Sequence, residues 1–128
     1  MKAYIIDITF ENLHPRVWRR VILPANATFN RLHETIQHIT NFQSTLEPYH
    51  YFAFPIDGLF ITNNEAILEE YKGKSYAGGK VRAANRIKID SYLEDHKKLT
   101  YNYDFGDDWH LAVELQEIVE DYYFGYPT

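Results

Sequence analysis

The chain has 128 residues, a formal net charge of −5 and no cysteine. That length suits a single domain able to bury about two-thirds of its unfolded surface without staples. The missing thiols exclude disulfides, a thiolate nucleophile and Cys-ligated zinc. With 11 Tyr, 8 Phe and 2 Trp, aromatics make up 16% of the chain, which excludes a disordered acidic tail and favours pleated, half-buried surfaces.

From Ala3 to Phe10, Ile6, Ile8 and Phe10 alternate with Asp7 and Thr9, the pattern of a strand. Asn12-Leu13-His14-Pro15 punctuates the chain, and Val17 to Leu23 reads as a second strand closed by Pro24. Thr28 is an N-cap for a helix whose apolar face is Phe29, Leu32, Ile36 and Ile39, ending near Asn41. Tyr49 to Phe54 and Leu59 to Thr62 are expected to form a hairpin around Pro55-Ile56-Asp57-Gly58, since Gly accepts positive φ. Asn64 to Tyr71 reads as a short helix capped by Asn63 or Asn64, and Gly73 to Gly79 as a flexible loop. Ile87 to Leu93 is ambiguous between a strand end and a helical turn capped by Asp90 or Ser91. Leu99 to Phe105 and Trp109 to Val119 are strands joined by Gly106-Asp107-Asp108, with Leu111, Val113 and Leu115 on one face of the second. Five or six strands and one good helix predict an α+β domain: a mostly antiparallel, hairpin-connected sheet with one main amphipathic helix packed on it.

No stretch approaches a membrane span or a signal peptide, so a soluble, cytoplasmic protein without membrane contact is expected. All thirteen bases lie at or before Lys98, against eleven acids there; from Leu99 onward there are seven acids and no base. Lys72, Lys74, Lys80, Arg82, Arg86 and Lys88 form a local basic run, readable as a solvated face or as a phosphate-contacting strip.

The densest cluster of polar chemistry is Tyr101 to His110, where Asp104, Asp107 and Asp108 sit beside Trp109 and His110. Clustered oxygens suit hard cations, though the spacing is not that of an EF-hand. The same carboxylates can instead accept backbone N–H groups and shape a tight turn. His33 and His38 stand five apart, roughly 140° around a helix, and cannot share a metal; His33, at the edge of the apolar stripe, reads as packed and hydrogen-bonded. In Trp18-Arg19-Arg20, strand alternation places Trp18 and Arg20 on one face and Arg19 on the other. Such a triplet can stack bases and hold phosphates, or anchor the core while an Arg pairs with an acid. No serine has an elbow context and no Gly-rich phosphate cradle precedes a helix.

Taken in order, Arg16-Val17-Trp18-Arg19-Arg20, Leu32-His33, His50 with Phe54, Tyr103-Asp104-Phe105-Gly106-Asp107-Asp108-Trp109 and then Glu114 closely resemble the plasmid pRiA ORF-3-like family, which includes the TnpR passenger proteins of some insertion elements. The resemblance covers nearly the whole chain. It implies an α+β fold with antiparallel strands and an association with plasmids and mobile elements, and carries over no particular activity. Two departures stand out. Members often place a His two residues after the motif Trp, where this chain has Leu111, its own His110 coming one residue early. Members usually continue beyond Tyr-Pro, whereas this sequence stops at Tyr126-Pro127-Thr128, as a short variant or a truncation would.

The leading expectation is a non-enzymatic binding module holding a small ligand or a protein partner in an aromatic-lined groove. Trp18, His33, His50, Tyr103, Asp104, Asp107 and Trp109 would line it, with Arg19 and Arg20 receiving an anionic group. A second expectation is nucleic-acid binding through Trp18, Arg19, Arg20 and the Lys80–Lys88 strip; a third is a metal-dependent hydrolase or nuclease with Asp104, Asp107 and Asp108 around Mg²⁺ or Mn²⁺. No catalytic residue and no cofactor is assigned, a divalent cation at these aspartates being the one candidate.

Overall fold

Hairpins laid edge to edge build the protein. The computed structural model describes residues 1–11, 13–40, 51–76, 79–103 and 109–124. Among them are eight strands: β1 (Ala3–Phe10), β2 (Trp18–Pro24), β3 (Phe52–Ile56), β4 (Leu59–Thr62), β5 (Ser75–Tyr76), β6 (Gly79–Ala83), β7 (Lys98–Tyr103) and β8 (Trp109–Val119). They form one sheet in the order β2-β1-β8-β7-β3-β4-β6-β5, in which β1–β2, β3–β4, β5–β6 and β7–β8 are sequential pairs. The pairs β1–β2, β3–β4, β5–β6 and β7–β8 are antiparallel, as are the joints β1–β8 and β3–β7; β4–β6 is parallel. That parallel joint needs a crossover, and α2 (Glu65–Glu70) supplies it. The expected sheet-rich, mostly antiparallel α+β architecture is therefore present, with more strands than expected and three short helices.

Alternation selects the core face. Tyr4, Ile6 and Ile8 of β1 and Leu111 and Val113 of β8 point to one side, together with Phe52 and Phe54 of β3 and Leu99 and Tyr101 of β7, all buried. In β8 the odd positions through Leu115 face inward, but the register slips between Ile5/Glu117 and Ile6/Leu115. The extra residue, Gln116, is a β-bulge that returns Ile118 to the core side opposite Tyr4.

On this face lies α1 (Phe29–Thr40), burying Phe29, Leu32 and Ile36 as the sequence spacing predicts. Thr28 caps it, its Oγ1 accepting from the Arg31 N–H at 3.1 Å. A 3-10 turn (Ala84–Arg86) and α3 (Asp90–His96) pack alongside, Tyr92 reaching Phe29 with ring centroids 6.1 Å apart. The ambiguous segment from Ile87 to Leu93 becomes an isolated bridge, Thr28 to Lys88, followed by the first turn of α3. Ser91 N–H donates to the Asp90 carboxylate at 2.8 Å there. The hydroxyl of Tyr4 donates to Glu94, which also pairs with Lys2 at 2.6 Å, tying α3 to the sheet.

Asn64 caps α2 by accepting from Ala66 and Ile67. The turn after β3 is Asp57-Gly58, with Gly58 at φ 79°. Pro55 is tolerated inside β3 because the ladder to β7 ends at Ala53, so no neighbour on that side needs its missing N–H.

The Gly73–Gly79 loop expectation is corrected: Ser75–Tyr76 and Gly79–Ala83 are strands β5 and β6. The physical source is that β6 buries only Gly79 and Val81, alternating with exposed Lys80 and Arg82, so the sequence shows glycine and charge. Gly79 is required by packing, since a Cβ there would lie 2.6 Å from the Leu59 carbonyl carbon. Gly79→Ala is thus expected to cost about 1–3 kcal/mol as β4 and β6 are forced apart. Urea unfolding should resolve this against exposed Lys74→Ala, expected within ~0.5 kcal/mol of the parent.

Candidate functional site

Where β1 ends and β2 and β8 begin, the last turn of α1 overhangs the sheet. Beneath it is a cavity of about 320 Å³. Ile8 and Phe10 of β1, Val17 and Arg19 beside them, Ile39 of α1 and Trp109 of β8 form most of its wall. Phe10 and Trp109 meet edge to face, centroids 5.7 Å apart and planes at 86°, a favoured aromatic arrangement. Arg19 pairs with Ile8 in the register and so stands on the helix-covered side. Its guanidinium donates to the Trp18 carbonyl at 2.8 Å, and no carboxylate lies within ion-pair distance among the described residues.

The other two members of the triplet face away. Trp18 opposes Thr9, Arg20 opposes Asp7, and both project from the helix-free face, so Trp18 touches the cavity only from its margin. Arg20 grips the Asp7 carboxylate in a two-pronged contact, Nε at 2.6 Å and Nη2 at 2.9 Å. Its charge is therefore committed within the fold. Arg20 holds the Asp7 carboxyl below its ordinary range, outweighing the opposing effect of burial. The guanidiniums of Arg16 and Arg20 lie over the Trp18 indole at 5.2 and 5.5 Å, cation–π contacts on an exposed ring.

His33 and Tyr103 occupy the aromatic core next to the cavity. The His33 ring stacks on Phe52 with centroids 3.8 Å apart and 13° between planes, and its Nδ1 lies 2.7 Å from the Tyr101 hydroxyl. Burial lowers the His33 pKa to about 4 and pushes the Tyr101 phenol well up. Both are neutral at pH 7, so the contact is a hydrogen bond between an uncharged imidazole and an uncharged phenol. Tyr103 runs parallel to Tyr101, 6.1 Å away. His110 pairs with Asn102 on the opposite face from buried Leu111.

His50, Asp104, Asp107 and Asp108 lie outside the described residues. Tyr103 and Trp109, which flank the three aspartates in sequence, pair across β7 and β8, and Trp109 lines the cavity. Among the described residues no three His, Cys, Asp or Glu side chains gather as metal ligands. The two basic segments do not join: β2 and β6 are six strands apart, about 29 Å at the usual inter-strand spacing.

A family model described as plasmid pRiA4b ORF-3-like protein matches residues 2–128. The chain belongs to the plasmid pRiA4b ORF-3-like family. It is similar to the uncharacterized protein y4hQ from Sinorhizobium fredii (strain NBRC 101917 / NGR234), at 25% identity over 115 residues, 87% of this chain and 52% of the relative. The crystal structure of a protein of unknown function, MM3350 from Methanosarcina mazei Go1, superposes with a TM-score of 0.76 at 26% identity, covering 99% of this chain and 66% of that one. This ORF-3-like chain thus spans about half the length of the curated relative and two-thirds of the solved one. No helix among its described residues is long and apolar enough to cross a membrane.

Sequence reasoning missed Ile39 and Val17 as cavity walls and gave Phe10 only as the last apolar residue of a strand. Each ends an apolar pattern at the same edge of the fold, a signal visible only once the strand order is known.

Proposed function

We propose that this ORF-3-like chain is a non-enzymatic binding module of a plasmid or mobile-element context. Its cavity seats an apolar or aromatic group between Trp109, Phe10 and Ile39, while Arg19 receives an anionic group on the same small ligand or on a partner's side chain. The supporting observation is the cavity itself: its volume falls at the lower end of ligand pockets, its wall is mostly apolar, and one guanidinium without a carboxylate partner among the described residues stands at its side. Its described lining contains no carboxylate or imidazole to transfer a proton, so it supplies grip rather than acid–base chemistry.

Phenylacetate and its neutral analogue phenylacetamide test the reading. With Trp18→Phe as parent, Trp109 is the sole indole and reports the cavity directly. Saturable change in its emission and a raised Tm are expected. The carboxylate should bind about tenfold more tightly than the amide, a preference lost in Arg19→Gln, as a charge-assisted hydrogen bond requires. Absence of any emission change with either compound refutes the proposal.

A further inference from the structure

The parallel pair β4–β6 creates a second crevice, remote from the Trp109 cavity. Thr62 and Ala83 lie side by side in the register, so both strands discharge at the same end of the sheet. There the chain turns into α2 from one strand and into the 3-10 turn from the other. In parallel arrangements this carboxyl end is where ligands collect, because the departing loops splay and leave a cleft. A cavity of about 390 Å³ occupies it, with Asn30, Glu65, Asn85 and Arg86 as polar wall and Leu68 and Ala84 as apolar floor. It continues into a wider cavity of about 790 Å³ that shares Glu65, Leu68, Ala83 and Arg86 and adds Lys72 and Arg82 together with the Glu69 carboxylate.

The charges are arranged unevenly. Lys72, Arg82 and Arg86 have no carboxylate within ion-pair distance among the described residues, and Arg82 donates to its neighbouring carbonyl, Val81, at 2.9 Å. Glu65 stands on the α2 wall shared by both cavities. Guanidinium and ammonium groups bind phosphate oxygens, a carboxylate accepts from hydroxyls, and asparagine amides donate and accept. We infer that this crevice binds a hydroxylated phosphomonoester, with its phosphate on Arg86, Arg82 and Lys72 and its hydroxyls on Glu65 and Asn85. Lys72, Arg82 and Arg86 of the basic run then serve a small-molecule site, while Lys74, Lys80 and Lys88 lie outside it.

D-Ribose 5-phosphate is the probe, titrated calorimetrically into the full chain, with inorganic phosphate and D-ribose as separate arms. Saturable binding is expected for the phosphomonoester, and much weaker binding for either half. Arg86→Gln should weaken ribose 5-phosphate about tenfold or more. Glu65→Gln should weaken it while leaving inorganic phosphate unchanged. Circular dichroism confirms that both variants fold, and Trp109 emission should stay constant throughout, separating this site from the first cavity. Three results each overturn the proposal: no binding of ribose 5-phosphate, equal affinity for inorganic phosphate, or affinity untouched by Arg86→Gln.

Discussion

Phe52→Ala is expected to cost about 3–5 kcal/mol of folding stability, the range for truncating a fully buried aromatic. Phe52 is 0% exposed and sits where several elements meet. It carries His33 of α1 on its face at 3.8 Å and touches Phe54 and Tyr101 at centroid distances of 5.8 Å each. Truncation removes the stacking surface and leaves a void that neither strand can close, because the backbone of β3 is held at both ends of this residue. Phe52 N–H donates to Asn63 at 2.9 Å and its carbonyl accepts from the buried Thr62 hydroxyl at 2.7 Å. Phe52→Leu, which keeps most of the volume, should cost about 1–2 kcal/mol. Urea denaturation of both variants checks the order; equal losses would show that the volume kept by leucine recovers nothing and that void formation is not the source of the loss.

The second large effect is in pH. Unfolded His33 takes up a proton near its ordinary pKa of 6.5, and in the fold burial lowers that to about 4. Between these values the unfolded chain binds more protons, so stability contributed by the neutral imidazole is complete above about pH 6.5, declines as pH falls, and is gone below about 4. At 1.36 kcal/mol per pKa unit this is on the order of 3 kcal/mol. His33→Gln keeps an amide that can hydrogen-bond the Tyr101 hydroxyl in either direction, without a titrating ring. The difference in unfolding free energy between parent and variant should therefore shift by about that amount between pH 7 and pH 4. Asp7 and Glu94, whose carboxyls Arg20 and Lys2 hold below their ordinary values, lose their contributions at lower pH in both proteins and cancel. Parallel stability curves for parent and variant would remove the imidazole from the account.

Both effects depend on contacts that are remote in sequence, and this separates what was readable from what was not. The strand from Ala3 to Phe10, the Thr28-capped helix, the Asp57-Gly58 turn and the strand from Trp109 all emerged at or near their observed bounds, because periodicity and turn chemistry are local. The short strands β5 and β6 did not. Two and five residues long, they carry too little apolar signal and are strands because β4 offers β6 an edge and β6 in turn pairs with β5. Opposite faces for Arg19 and Arg20 followed from alternation alone, yet which face the helices would cover did not. The cover decided that Arg19 adjoins a cavity while Arg20 is committed to Asp7.

By itself, then, the sequence determined the types of the longer elements, the family and the two-sidedness of the Trp18–Arg20 strand. The tertiary structure decided the rest: the pairing of His33 with Tyr101, 68 residues away, the bulge at Gln116 that returns Ile118 to the core, and the parallel joint that opens the second crevice. The reason is physical. Periodicity within a segment says which residues share a face, but register and strand order follow from how all the faces bury one another, and no single segment contains that information.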